Sequence, residues 1–343
     1  MRNAIKSVAP GNWSITIGRN WLFSQSYYAF TFAGAGGLPE GRMFRTVPFH
    51  LIDVFAVEPL TGNPLAVVDT ADDLPLELMQ RIAREFNQSE TTFVLPSSRA
   101  DAHWRLRSFT PKGVEVFGAG GHNTLGAWWW LATSGRLSLQ DGEMEFSQEI
   151  GPSIHPLSIW QRGGEIDRIV MRQEAPVWGR RAPDPVALAK ALGLTPDDIL
   201  GGSAPSQVVS TGAPHLLVPA RDCKAVDHAS PDVERLLDVL KRCGGEGCYV
   251  FSLDPHQQGA TAYARFFNPT AGISEDPATG TAAGPLAAHL VRHGLARAGM
   301  IAIEQGTALG RPSIIETSVE GDAVSIAARC VVSGSGDLRV WGA

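Results

Sequence analysis

Two stretches of this sequence are built alike, and the repetition limits what the chain can fold into more than any other feature. Gly62-Asn63-Pro64-Leu65-Ala66-Val67-Val68 and Gly212-Ala213-Pro214-His215-Leu216-Leu217-Val218 each set a tight turn ahead of an apolar strand. Some distance after each comes a glycine turn that opens an apolar helix rich in small residues, at Gly121 and again at Gly280. Features repeated in the same order read as a duplicated domain. Each half would wrap strands around one buried helix, and a pseudo-twofold axis would bring both helix starts to one cleft. The expected fold is α+β, with two pseudo-symmetric domains, each a mixed sheet or barrel around a central helix.

The second turn carries the chemistry. In Glu275-Asp276-Pro277-Ala278-Thr279-Gly280-Thr281-Ala282-Ala283-Gly284, two acidic residues precede a turn whose first helical residues are nearly all small. Backbone N–H groups at a helix start lack intrahelical partners and carry the positive end of the macrodipole, and small residues let an anion approach them. Taken alone, Asp276 would only cap the helix. With a second such turn in the chain, Glu275 and Asp276 are expected beside a bound carboxylate or phosphate as proton carriers.

With 343 residues, 44% of them hydrophobic, the chain can bury a large core and favours two domains. A net charge of -6 without a basic block excludes nucleic acid and membrane surfaces as expected partners, and leaves a small molecule. Cys223, Cys243, Cys248 and Cys330 are too scattered for a disulfide framework or a zinc site and read as reduced thiols. No apolar run is long enough to span a bilayer and no signal-peptide pattern appears, so the expected location is cytoplasmic.

Along the chain, residues 1–48 read as an extension, with Met43 a candidate start, followed by domains at 49–167 and 168–343 whose last strand could return to the first domain. Phe49 to Val57 and Leu65 to Val68 read as strands, with a turn at Thr61–Pro64. A helix starts at Asp73-Leu74-Pro75, with Leu74, Leu78, Ile82 and Phe86 on its packed face. Glu90 opens an apolar strand. Leu125 to Ala132 is apolar all round and should be buried. Short strands are expected over 142–170, a strand ends at Val177, helices start at Asp184-Pro185 and Pro231, and strands fill 300–340.

Three blocks resemble the signatures of the phenazine-biosynthesis, PhzF-like, isomerase family: Asn87-Gln88-Ser89-Glu90-Thr91-Thr92-Phe93-Val94, Gly121-His122-Asn123-Thr124-Leu125-Gly126 and Glu275 through Ala282. Gly62-Asn63-Pro64, Ser210-Thr211-Gly212, and Gln305-Gly306 through Gly310-Arg311-Pro312-Ser313 are similar to further blocks. The resemblance implies a diaminopimelate epimerase-like fold, often a homodimer, and a cofactor-free isomerase needing no metal. In the family's best-known chemistry a glutamate moves a proton within trans-2,3-dihydro-3-hydroxyanthranilate. Glu90 matches that glutamate, and His122 and Asp276 match the other site residues. Gly121, Gly280 and Thr281 match positions that hold the substrate, and Asn123 and Thr124 are grouped with them. Two departures bear on the substrate: Gly118-Ala119-Gly120-Gly121 lengthens the family's compact turn, and Asn123 replaces its usual proline.

The expected reaction is general acid/base isomerisation of a small carboxylate-bearing metabolite, with Glu90 raised in pKa by burial. The fold's other branch uses a cysteine at each helix start, and neither turn here contains one. His215 reads as structural. Two alternatives stand beside this reading. One is a nucleotide-binding protein using Gly118–Gly121 as a phosphate loop, although that loop lacks the glycine spacing and the Lys-Ser or Lys-Thr pair of the known fingerprints. The other is a non-catalytic binding protein on the same fold.

Overall fold

The computed structural model of the protein describes residues 44–69, 74–118, 121–182, 184–199 and 204–341. Residues 1–43 of the extension expected over 1–48, Asp73, and the Ala119-Gly120 part of the long turn lie outside the described residues, while residues 44–48 belong to the first strand. By internal contacts the chain divides into a large unit, Val47–Leu338, and a small one whose described residues are Phe44–Thr46 and Arg339–Trp341, outer residues of two strands. The large unit carries everything that bears on the site.

Its first half runs β1 (Phe44–Val54), β2 (Asn63–Asp69), α1 (Leu76–Phe86), β3 (Thr91–Pro96), β4 (Trp104–Phe109), β5 (Glu115–Val116), α2 (His122–Thr133), β6 (Gly142–Ile150), β7 (Ser153–Arg162) and β8 (Glu165–Arg172). The second runs β9 (Val177–Arg181), α3 (Pro185–Ala191), β10 (Gln207–Ser210), β11 (Pro214–Pro219), α4 (Cys223–His228), α5 (Val233–Cys243), β12 (Gly247–Ser252), β13 (Ala262–Asn268), β14 (Ile273–Asp276), α6 (Gly280–Arg292), β15 (Gly299–Gln305), β16 (Ser313–Glu320), β17 (Ala323–Ala328) and β18 (Cys330–Trp341).

The pairing pattern repeats strand for strand. In the first half β1 pairs antiparallel with β2, β2 runs parallel to β3, β4 is antiparallel to β3 and β5 and parallel to β6, and β6, β7 and β8 form a meander. Beginning at β10, the second half repeats this sequence of parallel and antiparallel contacts through β17. The equivalent strands β8 and β17 then pair with each other antiparallel, Ser325 opposite Arg172 and Ala328 opposite Ile169. Antiparallel pairing of equivalent strands is what a local twofold axis produces. Residues 167 and 168, where the domain boundary was expected, lie inside β8. At the outer edges, β18 returns to β1 and β9 covers β10.

Helices α2 and α6 sit inside these wrapped sheets and share one apolar core. Leu125, Trp128 and Leu131 of α2 join Ala282, Leu286 and Leu290 of α6, all fully buried. Burying one such leucine contributes about 1.5–3 kcal/mol. The Trp128 indole N–H, which would be costly without a partner, donates to Gln148 Oε1 at 2.9 Å. A smaller cluster lies under α3, α4 and α5, where Leu188, Leu236 and Leu240 meet Leu216 and Val250.

Several expectations need correction. β1 begins at Phe44, ahead of Phe49, and ends at Val54. Asn63 and Pro64 belong to β2 and not to the turn. The buried face of α1 is Met79, Ile82 and Ala83, so the row through Leu78 and Phe86 flanks the contact. Residues 142–172 make three long strands, because their polar residues alternate outward along a meander that the core covers on one face only. Val177 begins β9, and α5 starts at Val233 behind an Asp232 cap.

The loop between β1 and β2 is held from the far half. Arg311 Nη2 donates to Asp53 Oδ1 and to the Thr61 carbonyl, both at 2.7 Å, and its Nε donates to the Gly62 carbonyl at 2.8 Å. Gly62 has φ +60°, and an added Cβ would stand 2.3 Å from the Val54 carbonyl oxygen. Gly62→Ala therefore combines a left-handed conformation with a backbone clash, and we expect it to cost about 2–4 kcal/mol in urea unfolding. A cost below ~1 kcal/mol would mean that this turn is free to rearrange.

Candidate functional site

Both buried helices begin without a side-chain cap. α2 follows Gly121, which is extended, with His122 as its first residue, and α6 follows Thr279, also extended, with Gly280 as its first. Their first-turn N–H groups are thus left for another partner, at the positive ends of helices of 12 and 13 residues. α2 starts three residues earlier than its apolar stretch suggests, which puts His122 and Asn123 inside it.

Glu90 enters from the α1–β3 turn. Asn87 closes α1 in the left-handed region, φ 51°, and the chain swings through Gln88 and Ser89 so that Glu90 stands immediately before β3. Its carboxylate Oε2 lies 3.2 Å from His122 Nε2, a contact not aligned as a hydrogen bond. Only 19% of the Glu90 side chain is exposed. Burial, and then the nearby Asp276 charge, raise its pKa to about 8. Burial lowers His122 to about 4, so the imidazole is neutral at pH 7.

Asp276 ends β14 three residues before the α6 cap. Its carboxylate accepts from Asn63 Nδ2 at 2.9 Å and from the Thr279 hydroxyl in a short bond, and the nearby Ser89 side chain also favours its charged form. Burial outweighs these donors and raises the pKa to about 6, leaving Asp276 mostly ionised at pH 7. Gln305, fully buried, locks the turn. Its amide donates to the Asp276 carbonyl at 2.7 Å, and its oxygen accepts from the Thr279 N–H at 3.1 Å and the Tyr249 hydroxyl at 2.7 Å. Asn63 Nδ2 also donates to the Ala278 carbonyl at 2.8 Å.

Glu275 does not join this group, contrary to expectation. Consecutive strand residues point to opposite faces, and Glu275 forms a two-pronged ion pair with Arg265, both bonds 2.8 Å. It lines a separate cavity of about 470 Å³ with Arg265 and Ile273.

The remaining expected residues divide. Gly280 and Thr281 form the first turn of α6, and Gly280 is buried with its carbonyl accepting from Gln173 Nε2 at 3.0 Å. A Cβ on Gly121 would lie 2.7 Å from Asn123 Oδ1, so a side chain there would have to displace the Asn123 amide. The Asn123 amide donates to Ser108 Oγ at 3.1 Å, which in turn pairs with Thr92 Oγ1 at 2.9 Å, so the side chain is tied to the sheet. Thr124 is buried, and its hydroxyl has no partner among the described residues. Asn63, Ser89, Thr279 and Gln305 are additions to the site, signalled in the sequence only by their place in the repeated or family-like blocks.

The fold alone defines a class: paired half-domains around buried helices, the diaminopimelate epimerase-like architecture. A hydroxyproline epimerase from Agrobacterium vitis shares it at a TM-score of 0.57 and 13% identity, over 86% of this chain and 92% of that one. A PhzF-family phenazine biosynthesis protein from Bacillus anthracis superposes at a TM-score of 0.77 with 29% identity, covering 86% of this chain and 99% of that one. The family described as "Phenazine biosynthesis-like protein" matches residues 52–338. The trans-2,3-dihydro-3-hydroxyanthranilate isomerase of Pseudomonas aeruginosa is 36% identical over 290 residues, 84% of this chain and 95% of that protein. The chain belongs to this PhzF family and is an isomerase of it.

A Glu90 pKa raised from its unfolded value of about 4.5 to about 8 also bears on stability. Between those values the folded protein holds a proton that the unfolded chain has lost, so this group's contribution is greatest below pH ~4.5 and falls until about pH 8. Glu90→Gln removes that penalty. The melting temperature of the variant should exceed that of wild type by a margin that widens from pH 5 to pH 9, worth on the order of 2–4 kcal/mol at the alkaline end. Parallel curves across that range would place Glu90 in contact with solvent.

Proposed function

We propose that the protein moves a proton within a small carboxylate-bearing metabolite by general acid/base catalysis, without a cofactor, and that Glu90 carries the proton. The observation behind this reading is a buried carboxyl with a pKa of about 8 beside a neutral imidazole and an ionised aspartate. A general base works best with a pKa near the operating pH, and an ordinary glutamate is too weak. The uncapped starts of α2 and α6, through Gly121, His122, Asn123, Thr124, Gly280 and Thr281, bind the substrate carboxylate with backbone and hydroxyl donors. Ionised Glu90 removes a proton from carbon and returns it at another carbon on the same face. His122 and Asp276 stabilise the enol-like charge and steer the proton. The site lies between the domains expected at 49–167 and 168–343. Family resemblance also supports a homodimer, which light scattering reads directly.

The first substrate to test is trans-2,3-dihydro-3-hydroxyanthranilate, after the Pseudomonas aeruginosa relative. In heavy water, carbon-bound protons followed by NMR should shift position or exchange with wild type, and with Glu90→Gln the rate should fall by at least ~10³-fold. Wild type and variant equally inert across a panel of cyclic and acyclic carboxylates would leave the reading without its catalyst.

The pH profile adds an independent check. Because the starting base must be ionised, kcat/KM should climb through pH about 8 and level above it. Asp276→Asn removes a negative neighbour that raises Glu90, so its midpoint should move to lower pH whatever happens to the plateau. A midpoint that stays put would uncouple the two carboxyls.

A further inference from the structure

His215 stands at the start of β11, 3% exposed, with Nε2 3.3 Å from the Thr281 hydroxyl in the first turn of α6. The opposite ring nitrogen, Nδ1, is buried without a partner. It faces Gly247, directly across from His215 on β12, where even an added Cβ would come within 3.2 Å of Nδ1. The Phe266 ring meets the imidazole edge-on, with centroids 4.9 Å apart. Phe266 also lies opposite Asp276 on β14.

These surroundings select one form of the imidazole. An N–H pointed at Gly247 and Phe266 would be a buried donor with nothing to accept it, whereas a lone pair there is the smaller penalty. Burial also lowers the His215 pKa to about 4, keeping the ring neutral. The single proton therefore resides on Nε2 and is donated to Thr281 Oγ. The hydroxyl of Thr281, which has no other partner among the described residues, must then send its own proton elsewhere. Thr281 is only half-buried, on the uncapped turn of α6.

We propose that His215 is a positioning residue that takes one lone pair of the Thr281 hydroxyl and turns its proton toward the ligand, so that the start of α6 favours a carboxylate oxygen over an amide N–H in the same place. The inference rests on the proposed function in taking the α6 start as the carboxylate subsite. It adds the element that reads the ligand's charge state. A hydroxyl free to rotate would serve an amide as readily as an acid. One that already accepts from His215 points its proton outward and favours an acceptor there.

The experiment has two arms. Nitrogen-15 NMR of the imidazole in the full chain should show His215 protonated at Nε2 and bare at Nδ1 from pH 5 to pH 9. Titration calorimetry with anthranilate and anthranilamide as probes should show wild type favouring the acid. His215→Leu and Thr281→Ala should each weaken anthranilate binding about tenfold, on the scale of one hydrogen bond to a charged group. The double variant should be no weaker than either single one, and His215→Gln, whose amide can reach the same hydroxyl, should recover most of the loss.

A proton on Nδ1, additive single losses, or equal binding of acid and amide by wild type would overturn the proposal, as would a wild type that binds neither probe. The Gln variant and the NMR arm keep the test decisive if the Leu variant does not fold. Failure of the isomerase reading looks different: no proton exchange with any substrate while the acid preference and its dependence on His215 persist.

Discussion

The structure depends on one side-chain amide. Asn63 reaches from the start of β2 in one half to Asp276 and to the Ala278 carbonyl in the other, 213 and 215 residues away. The bond does two jobs. It satisfies a carboxylate that burial would otherwise drive neutral, and it fixes the turn that starts α6 against the strand that packs on α2. Arg311 gives the reverse contact, from the second half to the loop ahead of Asn63. Thr279, Gln305 and Tyr249 extend this buried polar network, in which Asn63 Oδ1 alone of the Asn63 amide atoms has no partner among the described residues.

Charge follows from this arrangement. With the Asn63 and Thr279 donors on it, Asp276 keeps its negative charge near neutral pH, and that charge in a buried setting adds to the rise of Glu90. Two carboxyls in different hydrogen-bonding environments are thereby pushed apart in pKa, the usual way one fold obtains an acid and a base from the same chemical group. His122 completes the set as a neutral, polarisable neighbour. Glu275 belongs to the scaffold, where its pairing with Arg265 ties β14 to β13 and, through Arg265, to the carbonyls of Val226, Asp227 and Ala229.

Much of this could be read from the chain itself. The two small-residue helices, their glycine turns and the paired halves follow from a repeated pattern, and Glu90, His122 and Asp276 stand in motifs that the fold brings together. What stayed hidden depended on register. Arg265 is ten residues before Glu275, and nothing local reveals that neighbouring strands set them side by side. Asn63 looked like a turn residue and Gln305 stood only in a family-like block, because the partners of both are remote. His215 was read as structural because its role lies in an acceptor it faces and a space it lacks, neither of which has a sequence signature. The long strands over 142–172 were underestimated because outward-facing charges interrupt the apolar pattern.

The return of β18 to lie beside β1 has a consequence for how the chain is made. Ser333 Oγ donates to the Leu51 carbonyl across this pair, joining the last described strand to the first. During synthesis the first half leaves the ribosome with that edge of β1 bare, and it stays bare until β18, 282 residues beyond Leu51 at Ser333, has followed. An open strand edge is an invitation to wrong partners. The nascent protein thus passes through a long interval in which a chaperone, or a partly made neighbour, competes for the place that its own final strand will take.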